Sequence, residues 1–124
     1  MDAVKGWFIE PTIIEGLTNA AKTNQEEIFG PVVTLIPFDN EEDAIQIANE
    51  SDYGLSATIW TENEEKANRV SNQVEAGVIW VNCWLVRDLR TPFGGMKQSG
   101  MGREGGSEAL RFFTEQKNVC TSTG

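Results

Sequence analysis

Short apolar runs alternate along the chain with stretches whose apolar residues recur at helical spacing, and this alternation predicts the elements. Trp7-Phe8-Ile9-Glu10-Pro11-Thr12-Ile13-Ile14 reads as a short extended segment broken by a proline, which cannot donate to a sheet ladder. Residues 15–25 are polar and turn-like. From Pro31 to Phe38, Val32, Val33, Leu35 and Ile36 form a nearly continuous apolar run, suited to a buried strand. A helix is expected next. Asn40 can cap its free N–H groups, Glu41, Glu42 and Asp43 complement its dipole, and Ala44, Ile45, Ile47 and Ala48 form its apolar stripe. Tyr53-Gly54 ends that element, and Leu55 to Trp60 is a second strand. Thr61 and Glu64 have the spacing of a capping box. The helix they open places Ala67, Val70 and Val74 on one face and is expected to stop at Gly77. Val78-Ile79-Trp80-Val81 is a third strand.

The order strand, helix, strand, helix, strand predicts an α/β fold with a parallel sheet and right-handed crossovers. A glycine-rich loop follows, then a helix over 104–114 with Ala109, Leu110 and Phe113 as its inward face. Asn118 to Ser122 reads as a short last strand, an unpaired edge unless another chain covers it. There is no internal repeat, low-complexity tract or linker.

Composition narrows the function classes. The chain has 124 residues, one domain's worth, with 40% hydrophobic and 23% charged residues, as in globular proteins. The net charge of −9 offers no basic face for phosphates, which argues against nucleic acid and against an anionic membrane surface. The acids cluster at 41–43 and 62–65, where they read as solvated helix starts. No apolar run approaches the ~20 residues of a membrane span. The opening Met-Asp-Ala-Val-Lys-Gly-Trp lacks the apolar core of a signal peptide. Cys83 and Cys120 are far apart and the chain has no histidine, so a metal site is not expected. Two unpaired cysteines without a secretory signal suggest a reducing, cytoplasmic setting.

Three stretches could carry chemistry. Thr91-Pro92-Phe93-Gly94-Gly95-Met96-Lys97-Gln98-Ser99-Gly100-Met101-Gly102-Arg103-Glu104-Gly105 demands positive-φ turns and close backbone approach. Within it, Gly100 to Gly105 satisfies G-x-G-x-x-G. A dinucleotide fingerprint must follow a strand directly and open a βαβ unit, and too little chain remains behind this one. The block Glu26-Glu27-Ile28-Phe29-Gly30-Pro31 places an aromatic ring beside a carboxylate at a turn. A carboxylate can accept from a ribose diol and a ring can pack on a flat heterocycle, although on these residues alone an acidic turn and a core phenylalanine are the better reading. The third stretch, Asn82-Cys83-Trp84-Leu85-Val86-Arg87-Asp88, follows a strand, where parallel α/β sheets place ligands. Cys83 adjoins bulky apolar residues and has no histidine base, so a nucleophilic role is not expected. Arg87 suits a carboxylate ligand, an ion pair with Asp88, or solvent. Trp84 and Phe93 suit pocket walls or core packing.

The Glu-Ile-Phe-Gly-Pro block, the Asn82-Cys83-Trp84 strand end and the Pro-Phe-Gly-Gly…Ser-Gly…Gly-Arg-Glu block, in that order, resemble the C-terminal part of the NAD(P)-dependent aldehyde dehydrogenases from Gly6 to about Val119. The stretch 82–93 is most similar to the branch acting on 2-hydroxymuconic and 2-aminomuconic semialdehydes. The resemblance implies a partial catalytic domain over 1–116 and the start of an oligomerisation strand over 117–124. It implies that Glu27 binds the nicotinamide ribose and that Phe29 lies beside the nicotinamide. It makes Arg87 a clamp for a substrate carboxylate, with Trp84, Phe93 and Cys83 around the substrate. A guanidinium fork matches a carboxylate as no lysine can. The family's nucleophilic cysteine, general base and most of its cofactor domain precede the matching region. The expected reaction is NAD-dependent oxidation of an aldehyde to the acid, with the isolated chain inactive. The alternative expectation is a non-catalytic module that pairs with a full-length dehydrogenase. Homo-oligomerisation is implied; NAD versus NADP is set by contacts upstream.

Overall fold

The computed structural model describes residues 6–124. Residues 1–5, on which the reading of the leader partly rests, lie outside them. The chain divides into two units, 1–52 and 53–124.

In the first unit, β1 (Thr12–Glu15) pairs in parallel with β2 (Val32–Leu35), Thr12 opposite Val32 and Glu15 opposite Leu35. β1 begins only after Pro11, and the Thr12 N–H donates to the Pro31 carbonyl at 2.8 Å. The polar connection, expected as turns, contains one helical turn, α1 (Lys22–Gln25). The helix α2 (Glu41–Asn49) forms where the pattern predicts it. Asn40 caps it, its Oδ1 accepting from the Asp43 N–H at 2.9 Å, with three acids in the first turn. At its far end the Asn19 amide donates to the Ile47 carbonyl, one of the last groups without an intrahelical partner, and to the Glu50 carboxylate.

The second unit opens with β3 (Tyr53–Gly54) and β4 (Ser56–Ile59), continues through α3 (Glu64–Gln73) to β5 (Val78–Val81), and then runs through the glycine-rich loop with β6 (Met96–Lys97) to α4 (Gly106–Phe113). β4 and β5 pair in parallel around α3, the expected strand–helix–strand unit. β3 and β6 pair antiparallel. Ala67 on α3, Ala76 and Trp80 are the buried hydrophobic residues here.

Three expectations change. Among the described residues the strands pair two by two, β1 with β2 and β4 with β5 in parallel, and the antiparallel pair of β3 with β6 is one the sequence pattern does not predict. Apolar runs of this length locate strands but do not carry their pairing. α3 starts two residues later than the capping box implies. Asn63 is the cap, its Oδ1 accepting from the Lys66 N–H at 2.8 Å. Thr61 is engaged otherwise: its Oγ1 accepts from the Asn63 N–H at 3.2 Å, and the Asn82 side chain accepts from its N–H at 2.9 Å and donates to its carbonyl at 2.8 Å. α3 also ends at Gln73, before Gly77. Gly77 has another duty: a Cβ there would collide with the Gly94 carbonyl.

The expected burial also differs. Val33 and Leu35 on β2 and Leu110 and Phe113 on α4 are exposed, and no large side chain among the described residues is fully buried. Residues 114–124 carry no regular structure, so the predicted last strand is not formed. A strand exists only through a paired neighbour, and no strand among the described residues pairs with this stretch.

Candidate functional site

In the first unit the Glu27–Phe29 block is a tight turn. The Gly30 N–H donates to the Ile28 carbonyl at 2.8 Å, closing a three-residue turn with Phe29 at its centre. The turn pushes the Phe29 ring outward, 94% exposed, and Glu27 is exposed as well. It presents a flat apolar face and a carboxylate within two residues of each other.

In the second unit, β5 ends at Val81 and the chain turns through Asn82 at φ 52° and Leu85 at φ 55°. Asparagine tolerates the left-handed region, but a leucine there is strained, and such residues concentrate at sites where surroundings over-determine the backbone. The loop is fastened from inside by Trp80, whose indole N–H donates to the Val86 carbonyl at 2.8 Å. Asp88 pairs with Arg90, not with Arg87: Arg90 Nε lies 2.9 and 3.1 Å from the two carboxylate oxygens. The Arg90 guanidinium holds the Asp88 carboxyl below its ordinary range, helped by the Arg90 backbone N–H, and Asp88 in turn raises Arg90.

Arg87 is thereby released toward the glycine-rich loop. Its guanidinium carbon stands 4.4 Å from the centre of the Phe93 ring, a cation–π geometry. Its Nη2 pairs with Glu104 Oε1. Phe93 and Glu104 are themselves locked opposite each other by a two-way antiparallel bridge, each N–H donating to the other's carbonyl at 2.7 Å. A further bond from the Gly106 N–H to the Leu89 carbonyl, 3.0 Å, ties the loop to the start of α4. Gly105 makes this approach possible, since it sits at φ 82° and a Cβ there would meet the Thr91 carbonyl. Arg103 braces the loop from its other side, donating to the Gly95 and Gly102 carbonyls at 2.9 and 2.7 Å.

Phe93 and Glu104 also border an open cavity of about 410 Å³, lined by the glycine backbone and by Phe112 and Phe113. Of the predicted residues, the structure brings Arg87 and Phe93 together. Trp84 is 69% exposed, and Cys83 is a half-buried free thiol; neither borders that cavity. Glu27 and Phe29 belong to the first unit. Glu104 is the residue that reading the sequence missed. Its partnership with Arg87 depends on an antiparallel bridge across ten intervening residues, which no periodicity signals. The G-x-G-x-x-G run lies in the loop between β6 and α4, and no strand follows it among the described residues. Also among the described residues, no cluster of metal-ligating side chains occurs and no helix is long and apolar enough to cross a membrane.

Residues 1–119 match the model of the aldehyde dehydrogenase family. The chain is 57% identical, over 93% of its own length, to a 2-hydroxymuconic semialdehyde dehydrogenase of Pseudomonas sp. (strain CF600), and covers 24% of that protein. It is 53% identical over 94% of its length to a 2-aminomuconic semialdehyde dehydrogenase of Danio rerio, again covering 24% of the relative. Among solved structures it resembles the NAD⁺ complex of an aldehyde dehydrogenase from Bacillus cereus, with a TM-score of 0.88 and 45% identity over 98% of this chain and 25% of that one. The chain thus spans about a quarter of the length of the relatives it matches. With the three sequence blocks folded as described and a family match over nearly the whole length, the chain belongs to the aldehyde dehydrogenase family.

Proposed function

We propose that this chain is the C-terminal part of the catalytic domain of an NAD-dependent dehydrogenase that oxidises a carboxylate-bearing semialdehyde to the acid. The Arg87 arrangement carries the reading: a guanidinium freed from Asp88, laid on Phe93 and half-exposed, as a carboxylate clamp requires. The relatives named for 2-hydroxymuconic and 2-aminomuconic semialdehydes support it, since both substrates bear a carboxylate. Trp84 and Phe93 serve as substrate walls, and Cys83 lies beside them without a covalent role.

The fit to a nicotinamide cofactor rests on the outward ring of Phe29 and the exposed Glu27. Glu27 is assigned the nicotinamide ribose and Phe29 the side of the nicotinamide. When bound, that group accepts hydride from the substrate. The reactive thiolate and its base are assigned to sequence outside this chain, and the isolated 124 residues are therefore inactive. Uncovered apolar side chains such as Val33, Leu35, Leu110 and Phe113 support a domain that is completed by other sequence. Homo-oligomerisation and a cytoplasmic setting belong to the same reading; the two free cysteines suit a reducing compartment.

The test is a graft. The matched 115 residues of the Pseudomonas 2-hydroxymuconic semialdehyde dehydrogenase are replaced by those of this chain. The expected outcome is retained NAD-dependent oxidation. In the graft, Arg87→Met should lower kcat/KM for a carboxylate-bearing semialdehyde roughly 10- to 100-fold, as loss of a charge-assisted hydrogen-bond pair implies, and leave a neutral aldehyde nearly unchanged. Equal loss on both would remove the clamp. Turnover by the isolated chain that disappears in Cys83→Ser would overturn the assignment of the nucleophile elsewhere.

One observation favours a second reading, a non-catalytic module that pairs with a full-length dehydrogenase. The exposed stretch 114–124 carries no regular structure beyond an exposed apolar helix. Co-purification with a longer dehydrogenase, lost on deleting 117–124, would support it.

A further inference from the structure

We propose that Glu104 is a positioning residue for substrate, holding Arg87 so that one edge of its guanidinium is presented to a carboxylate. The proposal rests on the reading of Arg87 as the carboxylate clamp.

A free arginine side chain loses about 2 kcal/mol of rotamer freedom when it is fixed, and this cost opposes ligand binding unless it is met beforehand. Here two neighbours meet it. Phe93 takes the face of the guanidinium, with the ring centre 4.4 Å from its central carbon. Glu104 takes one side through Nη2 alone. A guanidinium carries five N–H donors in a planar fork, so a one-point partner at Nη2 leaves a donor edge for a second carboxylate. The two supports are not independent: the two-way bridge between Phe93 and Glu104 fixes their backbone separation, so ring and carboxylate rise from one platform. Both charged side chains remain partly exposed, 46% for Arg87 and 63% for Glu104, so the platform is open to an entering anion. An ion pair this exposed contributes little to stability. Its geometric effect is the larger one.

Two experiments test this. In the 124-residue chain, the Arg87 side-chain protons are expected to show an upfield ring-current shift from Phe93, and Glu104→Gln should abolish most of it. A shift absent from the starting chain, or unaltered by Glu104→Gln, would overturn the proposal. In the grafted dehydrogenase, Glu104→Gln should lower the ratio of kcat/KM for a carboxylate-bearing semialdehyde over that for a neutral aldehyde by roughly tenfold, about one charge-assisted hydrogen bond. In an Arg87→Met background the same substitution should leave that ratio alone. A loss shared equally by both aldehydes would assign Glu104 to the chemistry or the fold and overturn the positioning role. If Arg87→Met itself leaves the ratio unchanged, the clamp reading fails. If Arg87→Met lowers the ratio and Glu104→Gln does not, only the role of Glu104 fails.

Discussion

Asn82 fastens the ends of β4 and β5 with both ends of its amide, accepting from the Thr61 N–H and donating to the Thr61 carbonyl. It does so from φ 52°, a backbone region that asparagine enters more readily than alanine. Two separable terms follow. Asn82→Gly keeps the backbone and loses the two bonds, for about 1 kcal/mol, near the low end for exposed hydrogen bonds. Asn82→Ala adds the left-handed penalty and should cost about 2 kcal/mol in total. Urea unfolding of both variants separates the terms, and equal costs would show that the backbone angle carries no strain. The same residue bears on the misplaced helix start. Thr61 has the right spacing to Glu64, but its backbone is claimed by a residue twenty-one positions away, which no local pattern can reveal.

At the scale of elements, the alternation of apolar and polar stretches located β2, α2, β4, α3 and β5 because each is set by local periodicity and caps. Pairing was not legible, since a four-residue apolar run fits any neighbour. The turn at Phe29 was legible from Gly30-Pro31, whereas the Arg87–Glu104 partnership was not, because it depends on how the loop folds back. The C-terminal end of α2 offers a test of one such non-local contact. Glu50 places a negative charge where the helix dipole disfavours one. The Asn19 amide chiefly, and the Gln46 amide next, hold its carboxyl below the ordinary range. A carboxylate whose folded value is depressed stabilises the fold at pH above its unfolded range and loses that contribution as pH falls through the lower folded value. Carboxyl NMR titration should therefore place the Glu50 midpoint below that of a free glutamate, and Asn19→Ala should move it back up. A midpoint unmoved by that substitution would assign the shift elsewhere.

The molecule as a whole leaves apolar surface in both units uncovered: Trp7, Phe8 and Val33 in the first, Leu110, Phe112 and Phe113 in the second. Phe112 and Phe113 pack only edge to face, 4.9 Å between ring centres, on the open side of α4. Isolated, the chain is expected to bind a hydrophobic dye and to associate as its concentration rises, and Phe112→Ser with Phe113→Ser should reduce both. Light scattering and dye fluorescence measure this directly, and no change in either would mean that α4 is not the exposed face responsible. The tie between Trp80 and the Val86 carbonyl has a different consequence. Trp80 is the buried indole of the chain, 8% exposed, against 103% for Trp7, 70% for Trp60 and 69% for Trp84. Its N–H reports on the backbone one residue before Arg87. With the three exposed tryptophans replaced by phenylalanine, the protein carries its own optical gauge of the loop after β5, readable by emission wavelength without any added label.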